Sequence, residues 1–529
     1  MARLGRLGSA LVASSFVMAR AAAATTYSIA VHGDDLNPGT AAQPLQTIQA
    51  AADLAQAGDT IIVEPGQYAG FAFSFGRQQT GTQLEPITFV ARPGVAIVSP
   101  NAHTPDGIDV EGASWVVIDG FEVRTVPGAG IRVVSGATNS VGVTIRNNDV
   151  HDSVMWGIFT SHVDSLLIEN NSVTGAQTQH GIFVSNACVS PVVRGNVLAS
   201  NAGAGLYLDG DAAQGGAGVI TGALVEKNVI HDNSASLMGA AGISCDGVQV
   251  SRLRNNLIYA EHGSGISLFR GDAAMPSTGN VVVNNTIVVA SDGRWPLDVR
   301  GASTGNTALD NILLNSGTSD GSIDVSADSL MGFTSDYNVV LDRFTLDDVT
   351  TATLDAWRAM TKQDAHSLVV PASALFVNPA SNDYHLLATA VAVGGGTTTG
   401  EPADDLDGTP RLGQDDIGAY QQCCRPDAGA DAASSADAGD DVPSADASRD
   451  AADARADDAR EGIDDANVDA RAENDAGHSK TGASSSGCAC ATTAHAQSPD
   501  CSSLGLLAVA SAIGGLLLGL RRRSSRHAG

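Results

Sequence analysis

Apolar and polar residues alternate with a period of two in short runs such as Val143-Thr144-Ile145-Arg146, bounded by Gly and Asn, throughout the middle of the chain. Runs this short predict strands whose alternate side chains enter a core, not helices. Between Gly107 and Leu313 the pattern recurs every 23 to 37 residues: a Gly-hydrophobic start (GID, GIR, GIF, GIF, GLY, GIS, GIS), then an Asn-hydrophobic step. The Asn positions are Asn148, Asn171, Asn196, Asn228, Asn256, Asn285 and Asn311, each followed two residues on by an aliphatic side chain. One repeat is therefore one coil of a solenoid. Three short strands per coil suit an all-β, single-stranded, right-handed parallel β-helix; a leucine-rich horseshoe would need a Leu consensus that is missing. An inward Asn at one place in every coil predicts an amide ladder that satisfies an otherwise unpaired turn. Two residues before successive Asn stand Arg146, Glu169, Arg194, Glu226 and Arg254. Their alternating sign predicts an outward charge ladder between coils stacked about 4.8 Å apart.

The flanks differ from the coils. Pro44 to Ala57 has helical apolar spacing and runs into Asp59-Thr60-Ile61-Ile62-Val63, so a helix followed by a first strand is expected to cover the open end of the solenoid. This stretch, GDDLNPGTAAQPLQTIQAAADLAQAGDTIIVEPGQY, resembles the N-terminal caps of secreted right-handed parallel β-helix proteins of the pectate-lyase-like and chondroitinase-like superfamily. After the coils, SDYNVVLD, the segment from Asp355 to Leu387 and DLDGTPRLGQDDIGAY resemble the endings of the same group. The organisation read from these signals is a cap with first coils over 25–100, coils over 101–345, and C-terminal coils with an ending segment over 346–424.

Residues 1–24 read as a secretory signal peptide, with Arg3 and Arg6 before an apolar stretch and Ala21 to Ala24 after it. Residues 425–487 are rich in Ala, Asp, Ser and Gly and bury too little to fold, which predicts a disordered acidic stalk. In 488–529, Cys residues, an apolar stretch from Leu504 to Leu520 and an Arg cluster follow in order. That tail resembles the tripartite sorting tails of myxobacterial surface proteins and implies delivery to the cell surface; a plain membrane anchor is the alternative. The formal net charge is -29, most of it between Thr25 and Cys424, which disfavours nucleic acid and anionic membranes as partners of the folded part. Contact with a membrane is expected through the tail alone, and the chain is expected to be a monomer.

Aligned on the repeat Gly, successive coils place Phe159, Phe183 and Tyr207 in one outward column, and Ser161, Ser185, Asp209, Asp246, Phe269 and Arg300 in the next. Aromatic faces suit the apolar faces of sugar rings, and a packed aromatic ladder is the alternative. Asp209 and Asp246 share an offset in adjacent coils, so their carboxylates are expected about 5 Å apart. That spacing fits a retaining glycosidase pair or an oxygen-ligated Ca²⁺ site. Asp211 adds a further acid in a Gly-rich loop, while His180 and Trp156 precede the Gly in neighbouring coils, with His180 a candidate general base. Arg270 and Arg300 are candidate substrate contacts, with His262 and Asp272 near the same rim. Asp405 and Asp407 in DLDG, and the Asp34-Asp35 turn, are further candidate Ca²⁺ ligands or ordinary turns. The lyases of the resembled superfamily commonly pair a Lys or Arg base with an Asp-rich calcium cluster. Here the part from Thr25 to Cys424 has only Lys227 and Lys362, and no consecutive acids mark its coils. The expectation is an exported, surface-held β-helix that binds or processes an extracellular polysaccharide as a lyase or glycosidase; the alternative is a noncatalytic adhesion solenoid.

Overall fold

The computed structural model describes residues 23–422, apart from 137, 236–239, 401 and 412–415. Residues 1–22 of the signal segment, the stalk and the sorting tail lie outside the described residues. The described chain is a right-handed parallel β-helix with three long parallel sheets of 12, 11 and 12 strands. One coil illustrates the path. Ile131–Val134 lies in the second sheet, Thr144–Arg146 in the first and Asp149–His151 in the third, before Ile158–Ser161 returns to the second.

Alternation sets which side chains go inside. Ile131, Val133, Ile145, Val150 and Ile158 have no solvent exposure, while Arg132, Arg146 and Phe159 between them point outward. The tight corner between the first and third sheets needs a left-handed residue just before each ladder Asn: Asn147 at φ 56°, Asn170 at 55°, Lys227 at 57°, and at the equivalent place Gly195 at 63°. The repeat Gly has another cause. A Cβ on Gly205 would lie 2.5 Å from Ile230 Cγ2 and 3.1 Å from the Gly242 carbonyl oxygen, so the wall of the next coil excludes a side chain.

The Asn ladder forms as expected and runs one coil further than the repeat reading reached. Each Nδ2 donates to the next Oδ1 at 2.9–3.1 Å, from Asn148 through Asn311 to Asn338. Each also donates to a main-chain carbonyl, for example Asn228 to Val193 at 3.0 Å. The charge ladder is in register over all five coils. It gains Asp119 at its start and resolves into the pairs Arg146–Asp119 at 2.8 Å, Arg194–Glu169 at 2.7 Å and Arg254–Glu226 at 2.7 Å.

The N-terminal cap is a shorter helix than its apolar spacing suggests. Helix α1 spans Ile48–Leu54, because Thr47 takes the N-cap and accepts from the Ala50 amide, leaving Leu45 to bridge to Ile29. Its Ile48, Ala51 and Ala52 join the solenoid core. At the other end, helix α2 (Leu354–Thr361) inserts Trp357, fully buried, against Phe344 at 5.1 Å between ring centroids. The described residues between 370 and 420 then return to the third sheet, where Leu375, Phe376, Tyr384 and Ile417 form a second small core with Leu257, Ile312 and Leu314.

Candidate functional site

The second sheet carries the chemistry on its outer face. Register pairing puts Phe159, Phe183, Tyr207, Ser244, Ser267, Asp298 and Asp324 in one column, and Ser161, Ser185, Asp209, Asp246 and Phe269 in the next. Asp209 ends the strand Leu206–Asp209, and Asp246 ends Ala241–Asp246 one coil later. Both are nearly excluded from solvent, at 7% and 1% exposure. Exposed Asp272 joins them from the loop after Phe269, and one carboxylate oxygen from each of the three lies within 4.8 Å of the others.

The environments of the two buried acids differ. Asp246 accepts the Gly271 amide at 2.7 Å and the Asp272 amide at 3.1 Å, bonds that favour its charged form. Burial nevertheless raises it to about 6. Asp209 has an Oδ1 with neither solvent nor a hydrogen-bond partner. Burial first, then the charges of Asp272, Asp246 and Asp211, push it to about 8. Burial and mutual repulsion thus raise the proton affinity of both acids, that of Asp209 further than that of Asp246. The loop that supplies Asp272 is pinned by main-chain bonds from Ala212 to Asp272 at 3.0 Å and from Ala274 to Gly218 at 2.9 Å. The Gly-rich segment after Tyr207 thus positions the third acid.

The aromatic column is continuous but packed upon itself. Trp156 stacks on Phe159 at 4.9 Å, while Phe159 meets Phe183 and Phe183 meets Tyr207 at 5.4 Å with planes tilted by 33°, and Phe269 lies 6.3 Å from Tyr207. Rings this close spend their faces on one another and show mainly edges to solvent. This geometry favours the packing alternative over open sugar platforms at Phe159, Phe183 and Tyr207.

His180 joins the aromatic column, packing edge-on to Tyr207 at 4.8 Å between ring centroids. Its Nδ1 accepts the Ala204 amide at 3.0 Å, and burial lowers its pKa to about 4. It is thus a neutral imidazole with Nδ1 committed, a poor general base at that atom. Asp211 accepts the Ala213 amide at 2.7 Å as a helical-turn cap and acts on Asp209 through charge. Arg270 is exposed and donates to the Ala273 carbonyl at 3.3 Å, while Arg300 pairs with Asp298 at 3.0 Å and lies 6.0 Å from the Phe269 ring centre. His262 turns away to Asp292 at 3.0 Å.

Asp405 and Asp407 sit in the C-terminal segment. The Asp405 oxygens accept the Thr409 and Gln421 amides at 2.6 and 2.7 Å, and Asp407 pairs with His385 at 2.8 Å. Asp35 likewise accepts the Gln46 and Thr47 amides at 2.9 and 2.8 Å. These partners give all three acids the work of bracing turns.

A family profile described as "Pel9A-like, right handed beta helix region" matches residues 27–173, the cap and first coils, and ends before the acid cluster. Among solved structures, pectate lyase Pel9A is 15% identical, with a TM-score of 0.52 over 75% of this chain and 96% of that one. A rhamnogalacturonan lyase is 15% identical (TM-score 0.43, 71% of this chain and 97% of that one). The alginate lyase from Paenibacillus sp. str. FPU-7 is 16% identical (TM-score 0.41, 56% and 97%). No curated protein matches. At these identities the likeness to the pectate lyase is one of fold.

Proposed function

We propose that the chain cleaves an extracellular polysaccharide at the outer face of the second sheet, with Asp209 as proton donor and Asp246 as its ionised partner. The observation that carries this reading is the orphaned, buried Asp209 carboxyl held near 8 beside an Asp246 whose charge is supported by two main-chain amides. Two carboxyls with separated proton affinities are what acid-assisted cleavage of a glycosidic bond requires. Their close approach suits a retaining pair, whose carboxyls stand about 5–5.5 Å apart. A pectate lyase shares the fold, but fold does not fix chemistry, so the proposal rests on the acids.

Elimination is less well supported, because the two lysines between Thr25 and Cys424 are engaged elsewhere, Lys227 with Asp404 at 2.8 Å and Lys362 with the Ala359 carbonyl at 2.9 Å. The oxygen donors of Asp209, Asp246 and Asp272 do fit a hard divalent cation such as Ca²⁺. Bound there, it would expel the Asp209 proton and supply positive charge to offset a substrate carboxylate, so it belongs with elimination and not with the acid role proposed for Asp209. Export through residues 1–24 and display at the cell surface through the 425–529 stalk and tail complete the proposal; their support is the sequence alone.

A noncatalytic adhesion solenoid is the second reading, favoured by aromatic rings that spend their faces on each other. Product release from a panel of plant, algal and bacterial glycans separates the two. Release by the native chain that is lost in D209N and D246N supports cleavage; binding without release, or release unchanged in both variants, rules out these acids.

A further inference from the structure

Further along the same outward face lies a second carboxylate pair. Asp298 in Leu297–Val299 is the register neighbour of Asp324 in Ile323–Val325, with Ser267 before them and Thr345 after. Asp298 has no solvent exposure. Its Oδ2 accepts from Ser267 Oγ at 3.1 Å and pairs with Arg300 at 3.0 Å, whereas its Oδ1 has no partner. Asp324 is 4% exposed, and its Oδ1 is also buried without a partner. The other charges acting on the pair are Arg294 and Asp348, which bind each other at 2.8 Å while Trp295 Nε1 holds the same Asp348 carboxylate. Asp320 and Arg343 stand at the edge of this group. The guanidinium groups are thus spent on other oxygens, and two carboxylate oxygens remain.

We infer that Asp298 Oδ1 and Asp324 Oδ1 hold a divalent, oxygen-seeking cation of the Ca²⁺ class, at a site separate from the Asp209 cluster. Arg300 and Arg294 offset part of the charge on both acids, yet the two Oδ1 atoms gain no hydrogen bond from them and forfeit their hydration. Neither oxygen has a hydrogen-bond partner, and a metal ion or a proton is small enough to satisfy them where they stand. Carboxylate oxygens select hard cations, whose remaining positions main-chain carbonyls and water can fill. Burial raises Asp324 to about 7, so a proton competes with the ion near neutrality, and binding expels it. The site stands whether or not the chain cleaves a glycan.

Calorimetric Ca²⁺ titration of the full chain tests this in D209N/D246N, which weakens the first cluster, and in the same variant with D324N or D298N added. One ion bound by D209N/D246N and lost on adding either further substitution is the expected result, with more protons released below pH 7 than above it. Circular dichroism of each variant checks that the β-sheet is intact. No ion bound by D209N/D246N overturns the inference even if the further variants fail to fold. So does undiminished binding in folded D324N and D298N variants; the pair would then hold a proton only.

Discussion

Glu261 ends a short ladder and offers a direct view of what burial does to an acid in this fold. Asn201 donates Nδ2 to Asn233 Oδ1 at 2.9 Å, and Asn233 donates Nδ2 to Glu261 Oε1 at 2.8 Å. Both Asn also donate to a main-chain carbonyl, Asn201 to Val173 and Asn233 to Leu198. Glu261 Oε2 lacks any partner, and the residue has no solvent exposure. Burial, opposed by the Asn233 bonds and aided by the Asp232 charge, raises its pKa from 4.5 to about 8. Through that window the folded state keeps a proton that the unfolded chain releases. Stability therefore falls as pH rises, by about 1.4 kcal/mol per pH unit and about 3 kcal/mol by neutrality. In E261Q a neutral amide replaces the carboxyl, keeps an oxygen for Asn233 to donate to and carries no charge at any pH. Urea unfolding midpoints of native and E261Q chains should coincide near pH 4.5 and diverge in favour of E261Q up to pH 8. Asp209, Asp246 and Asp324 are raised as well, so the difference between the two chains, not the slope of either, isolates Glu261. Equal midpoints at pH 8, or a less stable E261Q, would refute the reasoning.

In N228A the Asn196 amide and Nδ2 lose their acceptor and the Val193 carbonyl loses a donor, which should cost about 3 kcal/mol or more in denaturant unfolding. F183A removes the middle ring of the stack and should lower stability by about 2 to 3 kcal/mol while leaving glycan affinity within a few-fold. A large loss of affinity with unchanged stability would restore the sugar-platform role.

The coil architecture was legible because a solenoid writes its geometry into the chain at every repeat. The Gly, the Asn and the alternating Arg and Glu each recur at one place per coil, so columns can be aligned without coordinates. The Asp209–Asp246 alignment was legible for the same reason. Asp272 came into view only as a rim residue, because a loop held by Ala212 and Gly218 brings it back over Asp246, and loops carry no period. Asp298 stands two residues before the aligned Arg300 and was legible by the same offset, whereas Asp324 was hidden because Ser322 stands where the repeat has Gly. Ring orientation was likewise out of reach: sequence places Phe159, Phe183 and Tyr207 in one column but cannot say which way their faces turn.

The pH dependence of product release tests the central claim most directly. With Asp209 as acid and Asp246 as ionised partner, turnover should be highest between about 6 and 8, falling below as Asp246 gains a proton and above as Asp209 loses one. A profile that keeps rising above pH 8, or one that D209N leaves unaltered, would contradict it.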